Sequence, residues 1–183
     1  MNIKQLPNIL TFLRLLIVMP FSIALIKGNY PIAFWLFFLA GWTDLLDGLL
    51  ARYLKSQTKL GSFLDPLADK LLAASSFIIS GYLGILPLFL VVLVVAREIG
   101  IFIGLAVYRH LIGAIQLAPS LISKLNTALQ VLLIGDVLME KSVLKLPDFV
   151  FDFLVIALVI TTIWSFLVYV HQGFADLKKH PKK

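Results

Sequence analysis

Four of the chain's ten acidic residues fall within one short stretch: Asp44, Asp47, Asp65 and Asp69. They lie inside or beside long apolar runs, where each carboxylate costs about 2.5–3.5 kcal/mol at the centre of a membrane helix. Four such groups need a compensating partner. A divalent cation serves best, because carboxylate oxygens are hard ligands suited to Mg²⁺, Ca²⁺ or Mn²⁺. On a helix, Asp44, Asp47, Gly48 and Ala51 share one face at i, i+3, i+4 and i+7; Gly61, Asp65 and Asp69 share another at i, i+4 and i+8. Two helices presenting paired carboxylates beside small residues can hold two ions about 3.5–4 Å apart, an arrangement used for phosphoryl transfer.

The elements that position these residues follow from the hydropathy pattern. The 183 residues are 60% hydrophobic, with a mean hydropathy of +0.98, no cysteine and a formal charge of +6. This is the composition of an integral membrane protein. Without cysteine it has neither disulfide nor thiolate metal site. No secretory cleavage site, P-loop, dinucleotide fingerprint or low-complexity tract stands out, and residues 1–183 read as a single membrane domain. The pattern predicts an all-α fold with six transmembrane helices at about 9–27, 32–53, 62–81, 86–108, 121–139 and 149–170. A short interfacial segment precedes the first, and a basic tail follows the last.

The placement of Lys and Arg predicts orientation. One set of connections carries Arg52, Lys55, Lys59, Arg109 and the tail lysines 178, 179, 182 and 183. The opposite set carries Lys27, then nothing, then Lys141 and Lys145. By the positive-inside rule both termini are cytoplasmic. Asp44 and Asp47 then sit towards the cytosolic end of the second span. Asp65 and Asp69 begin the third span from that same side, so both pairs reach one depth.

Asp44, Asp47, Gly48, Ala51, Arg52, Gly61, Asp65 and Asp69 fill every fixed position of D-x2-D-G-x2-A-R-x8-G-x3-D-x3-D. At about 5% usage per residue type, chance matches eight positions with a probability on the order of 10⁻¹⁰ at a given start. The chain thus resembles the CDP-alcohol phosphotransferase (CDP-alcohol phosphatidyltransferase) family. The resemblance implies attack of an alcohol on the lipid-side phosphate of CDP-diacylglycerol, with release of CMP. It implies two divalent cations, Mg²⁺ or Mn²⁺, held by Asp44, Asp47 and Asp65, with Asp69 as general base that also touches a metal. Gly48, Ala51, Arg52 and Gly61 line the nucleotide site by the same resemblance. Pro7, Asn8, Leu10, Thr11 and Arg14 resemble the family's N-terminal pattern. This places Asn8, Thr11 and Arg14 at a pocket rim; the alternative for Arg14 is a side chain snorkelling to the interface. A homodimer in a bacterial cell membrane or mitochondrial inner membrane is implied, with its site on the cytoplasmic or matrix side and no nucleic-acid partner.

The acceptor is read from charge. Arg97, Arg109 and Lys124 are candidate acceptor-binding cations, while Glu98 can instead hold Arg97 as a buried pair. Phosphatidylglycerophosphate synthases, which use glycerol 3-phosphate, carry a further Arg and a Lys where this chain has Leu105 and Asn126. CMP-forming cardiolipin synthases share the Ser-Lys-x-Asn-Thr-Ala-x-Gln stretch found at 123–130 and the Leu-Gly-Ser-x-Leu-Asp-Pro-Leu-Ala-Asp-Lys stretch at 60–70. Their acceptor, phosphatidylglycerol, is a monoanion and needs fewer cations. The expectation is therefore a cardiolipin synthase, with glycerol 3-phosphate as the alternative acceptor. An ion-coupled transporter is the distant alternative; it would show internal repeats, and the acids here cluster in one hairpin. Lys70 reads as a snorkelling helix residue, and Asp136, Asp148 and Asp152 as solvated interface residues.

Overall fold

The computed structural model describes residues 6–54, 61–112 and 120–179. Side chains 6–10, 45, 47–54, 61–67, 105, 108–112 and 174–179 lie outside that description. The described chain is all α: α1 Leu6–Ile26, α2 Tyr30–Leu54, α3 Gly61–Tyr82, α4 Leu88–Ile112, α5 Leu121–Ser142 and α6 Asp148–Lys179. Each expected span meets one helix. The turns fall where glycine permits them: Gly28 and Gly84 adopt φ of +70° and +68°, a region that side chains disfavour.

Helix α6 runs nine residues past its expected end. His171 to Lys179 hold no proline, and the next one is Pro181. Lys178 and Lys179 also complement the negative end of the helix dipole. The predicted loop from residue 109 begins later, because α4 continues to Ile112. At the start of α5 the Ser120 hydroxyl accepts from the Ser123 backbone N–H at 3.2 Å, an N-cap.

The chain forms two compact units. The first comprises Met1–Leu86 and Ile134–Leu146. Here α1 packs against both α2 and α3. Its buried face is Thr11, Arg14, Phe21 and Leu25, a helical stripe. Ala33 and Ala40 of α2 and Ala68 of α3 are fully buried. Such small residues let helices approach closely where lipid removes the hydrophobic drive for association. Phe21 meets Phe37 at 5.9 Å between ring centroids.

The second unit comprises Pro87–Leu133 and Pro147–Lys183, with α4 against α6. Its core is graded along the helices. Leu90, Val91, Val94, Leu154 and Leu158 form the apolar part; Arg97, Asn126, Thr162 and Ser165 form the polar part. At Gly100 an added Cβ would lie 2.8 Å from the Phe166 ring.

The stretches Leu121–Ser142 and Asp148–Gly173 are long and apolar enough to cross a membrane. Large apolar side chains elsewhere are also exposed, among them Trp35, Phe38, Trp42, Phe89 and Phe102. Soluble surfaces rarely carry so many large apolar side chains.

Candidate active site

Within the first unit one charged residue from each of α1, α2 and α3 meets the other two at Arg14. Arg14 is fully buried. Its Nη1 lies 2.8 Å from Asp44 Oδ1 and 2.5 Å from Asp69 Oδ1. The two carboxylates are about half exposed, at 51% and 49% of the side chain. A buried guanidinium therefore sits beneath two open acids contributed by different helices. Helical periodicity explains the convergence. Arg14 continues the buried stripe of α1, and Asp44 follows Ala40 by one turn on α2. Asp69 adjoins the buried Ala68 on α3. Asp44, late in α2, and Asp69, early in α3, reach one level at the Arg14 guanidinium.

The snorkelling alternative for Arg14 is thereby replaced: its head is held inside the unit, by charge-assisted bonds. It lies against the motif acids themselves. Thr11, one turn earlier, is fully buried. Asn8 lies in the first turns of α1, and its side chain is outside the description. The same holds for Asp47, Gly48, Ala51 and Arg52 on α2, Gly61 and Asp65 on α3, and Arg109 on α4. Among the described residues no three acidic or imidazole groups form a metal cluster. The Asp44 and Asp69 oxygens nonetheless both reach one nitrogen atom, so they are near neighbours, and hard oxygens so close suit a divalent ion.

In the second unit Arg97 is the organising residue, 6% exposed. Its Nε donates to Ser165 Oγ at 3.2 Å and its Nη2 to Ser123 Oγ at 2.7 Å. Its Nη1 pairs with Glu98. The buried-pair reading of Glu98 is thus realised, with two serines added. Neither serine stood out in the sequence. The available signal was the spacing Leu154, Leu158, Thr162, Ser165, a stripe that turns polar level with Arg97. Asn126 is fully buried, and its Oδ1 accepts from Thr162 Oγ1 at 2.8 Å and lies 3.0 Å from Thr161 Oγ1. It ties α5 to α6. Lys124 is exposed beside a surface groove of about 560 Å³ that Thr127, Ala128, Val131 and Leu132 also line.

Lys70, Asp148 and Asp152 are exposed. Asp136 departs from expectation: it is 7% exposed and not solvated. It lies on the same helical face as the buried Leu133 and Val137, so the packing of α5 carries it inside.

The CDP-alcohol phosphatidyltransferase family model matches residues 4–171. A probable CMP-forming cardiolipin synthase of Drosophila melanogaster is 37% identical over 150 residues, covering 73% of this chain and 47% of that protein. A probable phosphatidylglycerophosphate synthase of Mycobacterium tuberculosis is 40% identical over 141 residues, covering 73% of this chain and 66% of that one. The chain thus spans about half to two thirds of the length of these two relatives. A CDP-diacylglycerol–glycerol-3-phosphate 3-phosphatidyltransferase of Bacillus subtilis is 29% identical over 190 residues, covering 95% and 97%. With the family match running through α1 to α6, and Asp44 of α2 and Asp69 of α3 drawn together by Arg14, the chain belongs to the CDP-alcohol phosphatidyltransferase family.

Proposed function

We propose that this protein transfers the phosphatidyl group of CDP-diacylglycerol to phosphatidylglycerol, forming cardiolipin and releasing CMP. The observation that carries the reaction type is the meeting of Asp44 and Asp69 on one buried guanidinium. It agrees with a site assembled from both halves of the motif. Asp44, Asp47, Asp65 and Asp69 would hold two divalent cations, Mg²⁺ or Mn²⁺, which when bound neutralise the pyrophosphate oxygens and the departing phosphate. Asp69 takes the proton from the acceptor hydroxyl as its oxygen bonds to the lipid-side phosphorus. The bond from that phosphorus to the CMP oxygen breaks, and CMP carries away the electron pair. Arg52 pairs with a nucleotide phosphate, while Gly48, Ala51 and Gly61 leave room for the nucleotide.

Acceptor choice is read from the charge of Arg97, Arg109 and Lys124. Arg97 is already paired with Glu98, so with Arg109 and Lys124 it offers modest positive charge. That suits the single charge of a phosphodiester better than a phosphomonoester dianion. Asn126, where a synthase for the dianion carries a lysine, is engaged with the α6 threonines. Glycerol 3-phosphate is the second reading, favoured by the B. subtilis relative that matches nearly end to end. The protein acts as a homodimer with six membrane spans, both termini cytoplasmic, and its site on the cytoplasmic or matrix side.

The test is a paired assay of the purified protein with Mg²⁺ or Mn²⁺ and CDP-diacylglycerol. Phosphatidylglycerol is expected to yield cardiolipin and CMP, and Asp69→Asn to abolish CMP release with folding intact. Conversion of glycerol 3-phosphate with phosphatidylglycerol inert would overturn the acceptor; no CMP with either acceptor would overturn the reaction.

A further inference from the structure

Arg14 lies outside the eight-position motif, on a different helix, yet it touches the first and last acids of that motif. Arginine brings a planar, delocalised positive charge to that position. A fixed positive charge one hydrogen bond from two metal-ligand oxygens must repel an ion bound by them, because that ion sits only about 5 Å away at ordinary metal–oxygen distances. Burial limits the screening of this repulsion by water and salt.

Charge counting gives the sign of the consequence. Four carboxylates neutralise two divalent ions. Adding Arg14 leaves the loaded site with a surplus positive charge, which an anionic pyrophosphate removes. We infer that Arg14 is a built-in counter-cation that weakens metal binding to the free protein and makes full loading depend on the nucleotide. Metal and nucleotide then bind with positive coupling, and coupling of this kind is reciprocal. The inference rests on reading the four aspartates as the metal ligands, and its test separates the two.

Mn²⁺ binding to the full chain in lipid nanodiscs is followed by the electron paramagnetic resonance of free Mn²⁺, with and without cytidine 5′-diphosphate. In the unsubstituted protein the nucleotide is expected to tighten Mn²⁺ binding about ten-fold or more. Arg14→Gln is expected to bind Mn²⁺ alone about ten-fold more tightly, with the nucleotide enhancement reduced below about three-fold. Arg14→Lys, which keeps the charge, stays within about three-fold of the parent. A folded Arg14→Gln protein with unchanged or weaker Mn²⁺ affinity overturns the inference. Should that variant fail to fold, lack of any nucleotide effect on the parent's Mn²⁺ affinity overturns it equally. Mn²⁺ binding that survives Asp47→Asn with Asp65→Asn overturns the metal assignment itself.

Discussion

At the scale of single residues, two arginines organise the molecule, and each is held differently. Arg14 lies under two half-open acids, whereas Arg97 is enclosed by Ser165, Ser123 and Glu98. The planar fork of Arg97 satisfies three directions at once, which the point charge of a lysine does not. Arg97→Lys is therefore expected to raise the acceptor KM about ten-fold, the loss of roughly one charge-assisted bond. The KM for CDP-diacylglycerol stays within about two-fold on the same argument, and steady-state kinetics with each substrate varied in turn checks the split. Equal increases in both would assign Arg97 to packing instead. Residue type and spacing alone mark Asp44 and Asp69 as partners. Arg14 is ambiguous in the sequence, because periodicity places a residue on a helix face without saying what packs there. Asp136 misleads for the same reason: an acid near the end of an apolar run looks solvated, yet its face of α5 is buried.

At the scale of elements, helix existence was legible from apolar run length, and Gly28 and Gly84 close two of the turns with positive φ. Ends were less so: α4 and α6 continue into polar sequence because nothing there forbids a helix. The contact between α4 and α6 was not legible at all, since it depends on a missing side chain. Gly100 lies one turn from Arg97, and Phe166 is the neighbour of Ser165. The close approach at Gly100 thus accompanies the Arg97–Ser165 bond. In Gly100→Leu the new side chain meets the Phe166 ring, which must rotate or push α6 outward. Overpacking of this sort costs about 1–3 kcal/mol. Thermal unfolding in detergent is expected to show a lower Tm, with weaker use of the acceptor. Phe166→Ala added to Gly100→Leu should recover part of the loss, a coupling that independent sites would not show. No recovery would mean that the ring is not what the new side chain strikes.

At the scale of the whole chain, the expected topology makes a prediction that the absence of cysteine renders clean. The positive-inside count puts residues 82 and 143 on the outer side and residue 178 on the cytoplasmic side. Tyr82 and Val143 are 84% and 62% exposed, so a thiol at either is reachable. With no native cysteine to react, single replacements report one position each. In intact cells a membrane-impermeant maleimide is expected to label Tyr82→Cys and Val143→Cys and to spare Lys178→Cys until the membrane is opened. Labelling of all three from outside would break the six-span count, because the number of crossings between residues 143 and 178 would then be even. The reverse pattern would keep the spans and invert the protein. That would move Asp44 and Asp69 away from the compartment that supplies cytidine nucleotides, and the proposed reaction with them. The sidedness of three surface thiols therefore tests the chemistry as well as the fold: a nucleotide-activated lipid is consumed only where its water-soluble half is made and released.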